Sequence, residues 1–146
     1  MLVDGRNCVV EGFESGYYVG PTVIDYVTPD MAIAREEVFG PVLAIIRAKN
    51  LDEAIHIENN SNYGNAASVF TQSGGVARQV MERASAGMIG INVGVPVPRE
   101  PFSFGGWNES KFGVNDITGK SSIEFWTQLK KTTVKWNPES RTNWMS

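Results

Sequence analysis

Between residues 42 and 93 the apolar positions switch repeatedly between a strand-like and a helix-like spacing. Val42-Leu43-Ala44-Ile45-Ile46 is a continuous run of strand length rich in β-branched residues, and it predicts a buried strand over 42–47. Asn50 then offers an N-cap with Glu53 at the capping-box position, and Leu51, Ala54 and Ile55 give one apolar face as far as Asn60. Residues 62–65 read as loop and 67–71 as the next strand. Ser73 caps a second helix, whose face Val76, Ala77, Val80, Met81 and Ala84 repeats at helical spacing. Gly87 is placed to end it as a C-cap, and 88–93 reads as a third strand. Strand–helix–strand–helix–strand with short connections predicts a right-handed parallel βαβαβ unit and an α/β fold.

The flanks read differently. Asn7–Glu11 and Tyr17–Val19 are short β-like runs around a Glu14-Ser15-Gly16 turn, which predicts an N-terminal β-hairpin. Gly20-Pro21 breaks the run and 22–24 resumes it. Met31–Arg35 predicts a helical turn. From Gly94 to Gly119 the periodicity dissolves: Val95-Pro96-Val97-Pro98 cannot be a central strand, and glycines continue the irregularity. A loop of that length carrying Phe102, Phe104, Trp107 and Phe112 is of the kind that is usually functional. Residues 121–128 predict a short helix. Leu129–Trp136 alternates basic and β-branched residues, the pattern of a half-exposed edge strand that pairs with another chain. The polar tail beyond Asn137 predicts a frayed end. The chain therefore divides into a body, 1–128, and a strand-plus-tail segment, 129–146.

Composition narrows the class. At 146 residues, with 42% hydrophobic and 20% charged residues, the chain has the size and balance of one ordinary globular domain. A net charge of −3 and a pI near 5.2 argue against nucleic acid as its main partner. No apolar run approaches membrane-spanning length, no signal-peptide pattern opens the chain, and the single cysteine fits a reducing, cytoplasmic setting. Asn59-Asn60-Ser61 and Asn108-Glu109-Ser110 match a glycosylation pattern only by chance in that setting. There is no zinc spacing, Walker loop or G-x-G-x-x-G, so no metal site is expected. Ser73-Gly74-Gly75 opens a helix and could meet an anion, but helix capping is the favoured reading. His56, the only histidine, reads as a solvent-facing structural residue, because no nucleophile accompanies it. Cys8 reads as an unreactive thiol in a strand; only Arg6 stands near it as a cation.

The candidate chemistry sits where a loop feeds the 42–47 strand. Glu36-Glu37-Val38-Phe39-Gly40-Pro41 places two carboxylates and an aromatic just before a strand entry. On composition alone this is a solvated charge pair beside a packed ring. In this order, however, the six residues resemble the aldehyde dehydrogenase superfamily. The resemblance implies that Glu37 accepts hydrogen bonds from the nicotinamide-side ribose of NAD and that Phe39 flanks the nicotinamide ring. A carboxylate and a flat apolar wall suit those tasks. Further along, Ile91-Asn92-Val93, Val95-Pro96-Val97-Pro98 and Ser103-Phe104-Gly105-Gly106-Trp107 look like the CoA-acylating methylmalonate- or malonate-semialdehyde branch. That resemblance places Phe104 in the wall of the aldehyde pocket.

The same resemblance implies what the chain lacks. Family members attack the aldehyde with a cysteine from a Gly-Gln-x-Cys type stretch, pass hydride to NAD and leave a thioester that coenzyme A takes over, with loss of carbon dioxide in this branch. Neither that stretch nor a dinucleotide-binding half is present, and Cys8 stands in the wrong context. The expectation is a C-terminal portion of such an enzyme, with no catalytic residue of its own, inactive alone and self-associating as a homodimer or homotetramer through 129–136. Two other readings stay open: a non-catalytic oligomerisation or interaction module whose aromatic loop docks a partner, and a hydrolytic enzyme of the same superfamily.

Overall fold

The computed structural model describes residues 1–136. The strands are β1 (Thr22–Ile24), β2 (Val42–Ala44), β3 (Tyr63–Gly64), β4 (Ala66–Val69), β5 (Met88–Ile91) and β6 (Trp107–Asn108). The helices are α1 (Ala32–Arg35), α2 (Leu51–Asn59), α3 (Gly74–Arg83) and α4 (Ser122–Trp126), the last entered through a 3-10 turn at Gly119–Ser121. β1 pairs with β2 in parallel, Val23 opposite Leu43, and β4 pairs with β5 in parallel, Ala67 opposite Ile89. The fold is thus mixed α/β, as the periodicity predicts.

One correction concerns the predicted βαβαβ unit. β2 and β4 share no ladder; the strands form separate parallel pairs, each closed by its own crossover. β2 is instead paired with β1. Its pairing is carried past the strand ends by Ile45 N–H donating to Ile24 O at 2.8 Å and Val27 N–H donating to Ile45 O at 3.0 Å.

α2 and α3 pack on β4 and β5. Ile55, Val80 and Ala84 form the buried cluster, with Leu51, Ala67, Val69 and Ile89 against it. The even spacing of Ala67 and Val69 puts both on this face, as a strand requires. Burying an aliphatic side chain of this size contributes about 1.5–3 kcal/mol. The caps are those the sequence marks. Asn50 Oδ1 accepts from Glu53 N–H at 2.9 Å, and Glu53 Oε2 reaches back to Lys49 N–H at 2.6 Å, one residue beyond the usual capping box. Ser73 Oγ accepts from Val76 N–H at 3.3 Å. The helices are tied together at their C-terminal ends by Asn59, which donates to Arg83 O at 2.9 Å and accepts from Ser85 N–H at 2.8 Å.

Gly87 is not the C-cap of α3. The helix ends at Arg83, with Ala84 capping it in extended conformation. Gly87 is needed for a different reason: a Cβ there would stand 2.6 Å from Gly105 O and 2.9 Å from Gly106 Cα. The long loop passes over β5 at backbone distance, and only glycine leaves room.

The predicted N-terminal hairpin of 7–11 with 17–19 is also not formed. Asn7 and Gly12 lie in the left-handed region, at φ 58° and 82°, which interrupts a strand at that point. The antiparallel return instead brings residues 2–5 alongside 20–23, with Val3 bridging Val23, Gly5 N–H donating to Thr22 Oγ1 at 3.0 Å and Gly20 N–H to Gly5 O at 2.9 Å. Residues 129–136 join no ladder within the described chain. The predicted frayed tail after Asn137 falls outside the described residues.

Candidate functional site

The polypeptide enters β2 through a pair of three-residue turns. Gly40 N–H donates to Val38 O at 2.9 Å, and Val42 N–H to Gly40 O at 2.8 Å. Upstream, Glu36 N–H donates to Ala32 O at 2.8 Å and ends α1, so Glu37 leaves the helix in extended chain. These turns split the motif. Glu37 faces a cavity of about 580 Å³, whereas Phe39, at the apex of the first turn, is 94% exposed and lines no part of it.

The opposite wall of the cavity comes from the long loop. Phe104 lines it together with Glu109, Ser110 and Phe112, while Tyr63 and Asn65 rise from the β3–β4 corner. β3 and β6 build that wall: Tyr63 pairs antiparallel with Asn108 and Gly64 with Trp107. Gly64 N–H also donates to Ser110 Oγ at 3.1 Å. A Cβ on Gly64 would stand 2.5 Å from Ser85 O, so the corner accepts no larger residue. The structure therefore brings Glu37 and Phe104 together and leaves Phe39 outside. A smaller cavity of about 300 Å³ lies behind Phe104 and shares Asn65, Ser110 and Phe112 with the first.

Tyr63 and Asn65 are not legible as site residues in the sequence, where 62–65 reads as a loop. They reach the cavity only because β3 pairs with a strand far along the chain. Phe112 carries a signal, as one of the aromatics of the irregular stretch. Among the remaining candidates, His56 is exposed and its ring Nε2 lies 2.9 Å from Asn60 Nδ2. Cys8 lies in exposed irregular chain rather than in a strand. Arg6 is held by Asp4 at 2.6 Å, and the Arg6 hydrogen bonds hold the Asp4 carboxyl at about 2. Among the described residues no helix is long and apolar enough to cross a membrane.

The parallel strand pairs, the motif at the entry of β2 and the aromatic wall around Phe104 define a mixed α/β unit with a cavity between a strand-entry turn and a long loop. The family model of the aldehyde dehydrogenase family matches residues 1–132, and the chain belongs to that family. It is 46% identical over 137 residues to malonate-semialdehyde dehydrogenase 2 of Bacillus thuringiensis (strain Al Hakam), covering 93% of this chain and 28% of that protein. It is 42% identical to malonate-semialdehyde dehydrogenase of Listeria innocua, covering 94% of this chain and again 28% of the relative. Its fold is similar to the crystal structure of a methylmalonate-semialdehyde dehydrogenase from Oceanimonas doudoroffii, with TM-score 0.83 and 40% identity over 93% of this chain and 28% of the other. An aldehyde dehydrogenase of Mycobacterium tuberculosis, solved with NAD+, matches with TM-score 0.69 and 38% identity over 82% of this chain and 24% of that one. The chain thus spans little more than a quarter of the length of the curated relatives it matches.

Proposed function

We propose that this chain is the C-terminal portion of an NAD-dependent, CoA-acylating methylmalonate- or malonate-semialdehyde dehydrogenase, in which it contributes one side of the nicotinamide site and one wall of the aldehyde pocket. The observation that carries this reading is the meeting of Glu37 and Phe104 across one cavity. A carboxylate that can accept two hydroxyl hydrogen bonds then faces an apolar ring, the pairing wanted where a ribose and a small aldehyde lie side by side. NAD supplies the hydride acceptor when bound. Glu37 would hold its ribose and Phe104 would confine the aldehyde, while Phe39, exposed on the turn outside this cavity, would flank the nicotinamide ring only where the cofactor extends beyond the cavity.

The extent of exposed apolar surface supports the same reading. Leu43, Phe70, Phe112, Trp126, Leu129 and Trp136 are all more than half exposed, and apolar surface of that extent marks an interface. The rest of the enzyme would cover part of it and supply the nucleophilic cysteine and the dinucleotide-binding half. Residues 1–128 act in this arrangement as catalytic-domain chain and 129–146 as the segment that pairs with another subunit, in a cytoplasmic homo-oligomer.

The test is the full-length enzyme assayed with malonate and methylmalonate semialdehydes, with and without coenzyme A. Acyl-CoA and NADH formed together are the expected result. NADH with free acid and no dependence on coenzyme A would place the chain with the hydrolytic enzymes. No NADH with any aldehyde would favour a non-catalytic module.

A further inference from the structure

The segment bearing Phe104 is held from behind by residues 116–121. Phe104 N–H donates to Thr118 Oγ1 at 3.0 Å, and Ser103 Oγ lies 3.2 Å from Ser121 Oγ. Gly105 gives up its Cβ space to the Asp116 carboxylate: a Cβ there would stand 2.1 Å from Asp116 Oδ1. Asp116 is itself fixed from both sides. Lys111 Nζ meets its Oδ1 at 2.7 Å, and its own N–H donates to Ser121 Oγ at 3.1 Å. Gly119, at φ 67°, brings this turn against Ser103, where a Cβ would stand 2.6 Å from Ser103 Oγ. Lys111 and Asp116 are both half-buried, and neither lines the larger cavity.

We propose that the Lys111–Asp116 pair is a positioning device that sets the backbone of 103–105, and through it the Phe104 ring, and so the choice among aldehydes. The part concerning aldehydes rests on the reading of Phe104 given above; the part concerning the backbone does not. Phe104 stands between the two cavities, so a shift of its backbone enlarges one at the expense of the other. A half-buried ion pair resists such a shift more than an exposed one, because removing one partner leaves the other unpaired away from water.

The backbone part is tested on this chain by amide hydrogen exchange. Asp116→Asn, which keeps the shape beside Gly105, and Lys111→Met, which spares Asp116, should each speed exchange of the Phe104 N–H about tenfold, the loss of roughly one charge-assisted hydrogen bond. The Val80 amide in α3 should keep its rate. Unchanged Phe104 exchange, or equal acceleration at Val80, overturns the proposal, the latter because it would mean general loosening. The second arm uses the full-length enzyme and the KM for semialdehyde against kcat and the KM for NAD. Phe104→Leu and Asp116→Asn should both raise the aldehyde KM several-fold and leave the NAD KM alone. If Phe104→Leu changes nothing, the pocket reading of Phe104 fails, while the exchange result still decides whether the Lys111–Asp116 pair positions the backbone. If Phe104→Leu acts and Asp116→Asn does not, the positioning inference fails and the pocket reading stands.

Discussion

Asn92 and Thr71 hold each other by a reciprocal pair of hydrogen bonds: Thr71 N–H donates to Asn92 Oδ1 at 2.8 Å, and Asn92 Nδ2 donates to Thr71 O at 3.0 Å. The side chain imitates one more rung of the β4–β5 ladder after the backbone of β5 has turned away at φ 57°. Asparagine suits both tasks, since its amide offers donor and acceptor together and it tolerates the left-handed region. Asn92→Ala should destabilise the chain by about 2–3 kcal/mol, combining the lost hydrogen bonds with the cost of alanine at positive φ. Asn92→Gly should cost less, because glycine removes the second term. Urea denaturation of both variants checks this, and equal losses would count against the conformational term.

Asp25 and Arg47 should give the acid limb of the stability profile. Arg47 donates to both Asp25 oxygens, at 3.0 and 2.6 Å, and stacks over Tyr26 with its Cζ 4.8 Å from the ring centroid. The Arg47 hydrogen bond lowers the Asp25 pKa below 3.8. A carboxylate whose folded pKa is depressed lends stability that is present above its unfolded value, about 3.9, and lost as pH falls through the folded one. Melting temperature should therefore fall below about pH 4 more steeply in the wild-type chain than in Asp25→Asn. Parallel curves would remove Asp25 from the acid response.

Glu37→Gln in the full-length enzyme should weaken cofactor placement and slow hydride transfer. On the proposed reading Glu37 accepts from ribose hydroxyls, and losing that charge-assisted hydrogen bonding would cost roughly 1.5–3 kcal/mol. NAD titration and single-turnover NADH formation measure it; unchanged values for both would sink the assignment.

Deleting residues from Leu129 onward should lower the oligomer state of the full-length enzyme. The segment alternates basic and β-branched residues and joins no ladder within the described chain; on the proposed reading it pairs with a second copy. Light scattering behind size exclusion gives the mass, and an unchanged mass would contradict the prediction.

The 146-residue chain alone should form no NADH from semialdehyde, NAD and coenzyme A. Covalent aldehyde chemistry needs an activated thiolate, and Arg6, the cation nearest Cys8 in sequence, is engaged by Asp4. Losing correct placement of the reacting groups removes about 7–11 kcal/mol of assistance. Turnover that vanishes in Cys8→Ala would overturn this and make Cys8 a nucleophile.

What was legible in the sequence is local. Asn50 and Ser73 announce α2 and α3 because an N-cap needs only a side-chain oxygen within three residues of a free N–H. The apolar runs announce β2, β4 and β5 by their strand length, but the burial expected of 42–47 is not found in this chain: Leu43, in the middle of β2, is 58% exposed. The Glu-Glu-Val-Phe-Gly-Pro order carries the family by itself. What only the tertiary structure decided is pairing and approach over distance. β2 pairs with β1 and not with β4; residues 2–5 return along 20–23, and 7–11 forms no hairpin with 17–19; Gly87 yields space to Gly105 and does not cap a helix. The same holds for the site. Glu37 is visible in its motif, but that it faces Phe104, while Phe39 two residues on turns away, follows from tight turns and from the joining of β3 to β6. Backbone hydrogen bonds carry no sequence identity, so which strand satisfies which is settled only when the whole chain packs.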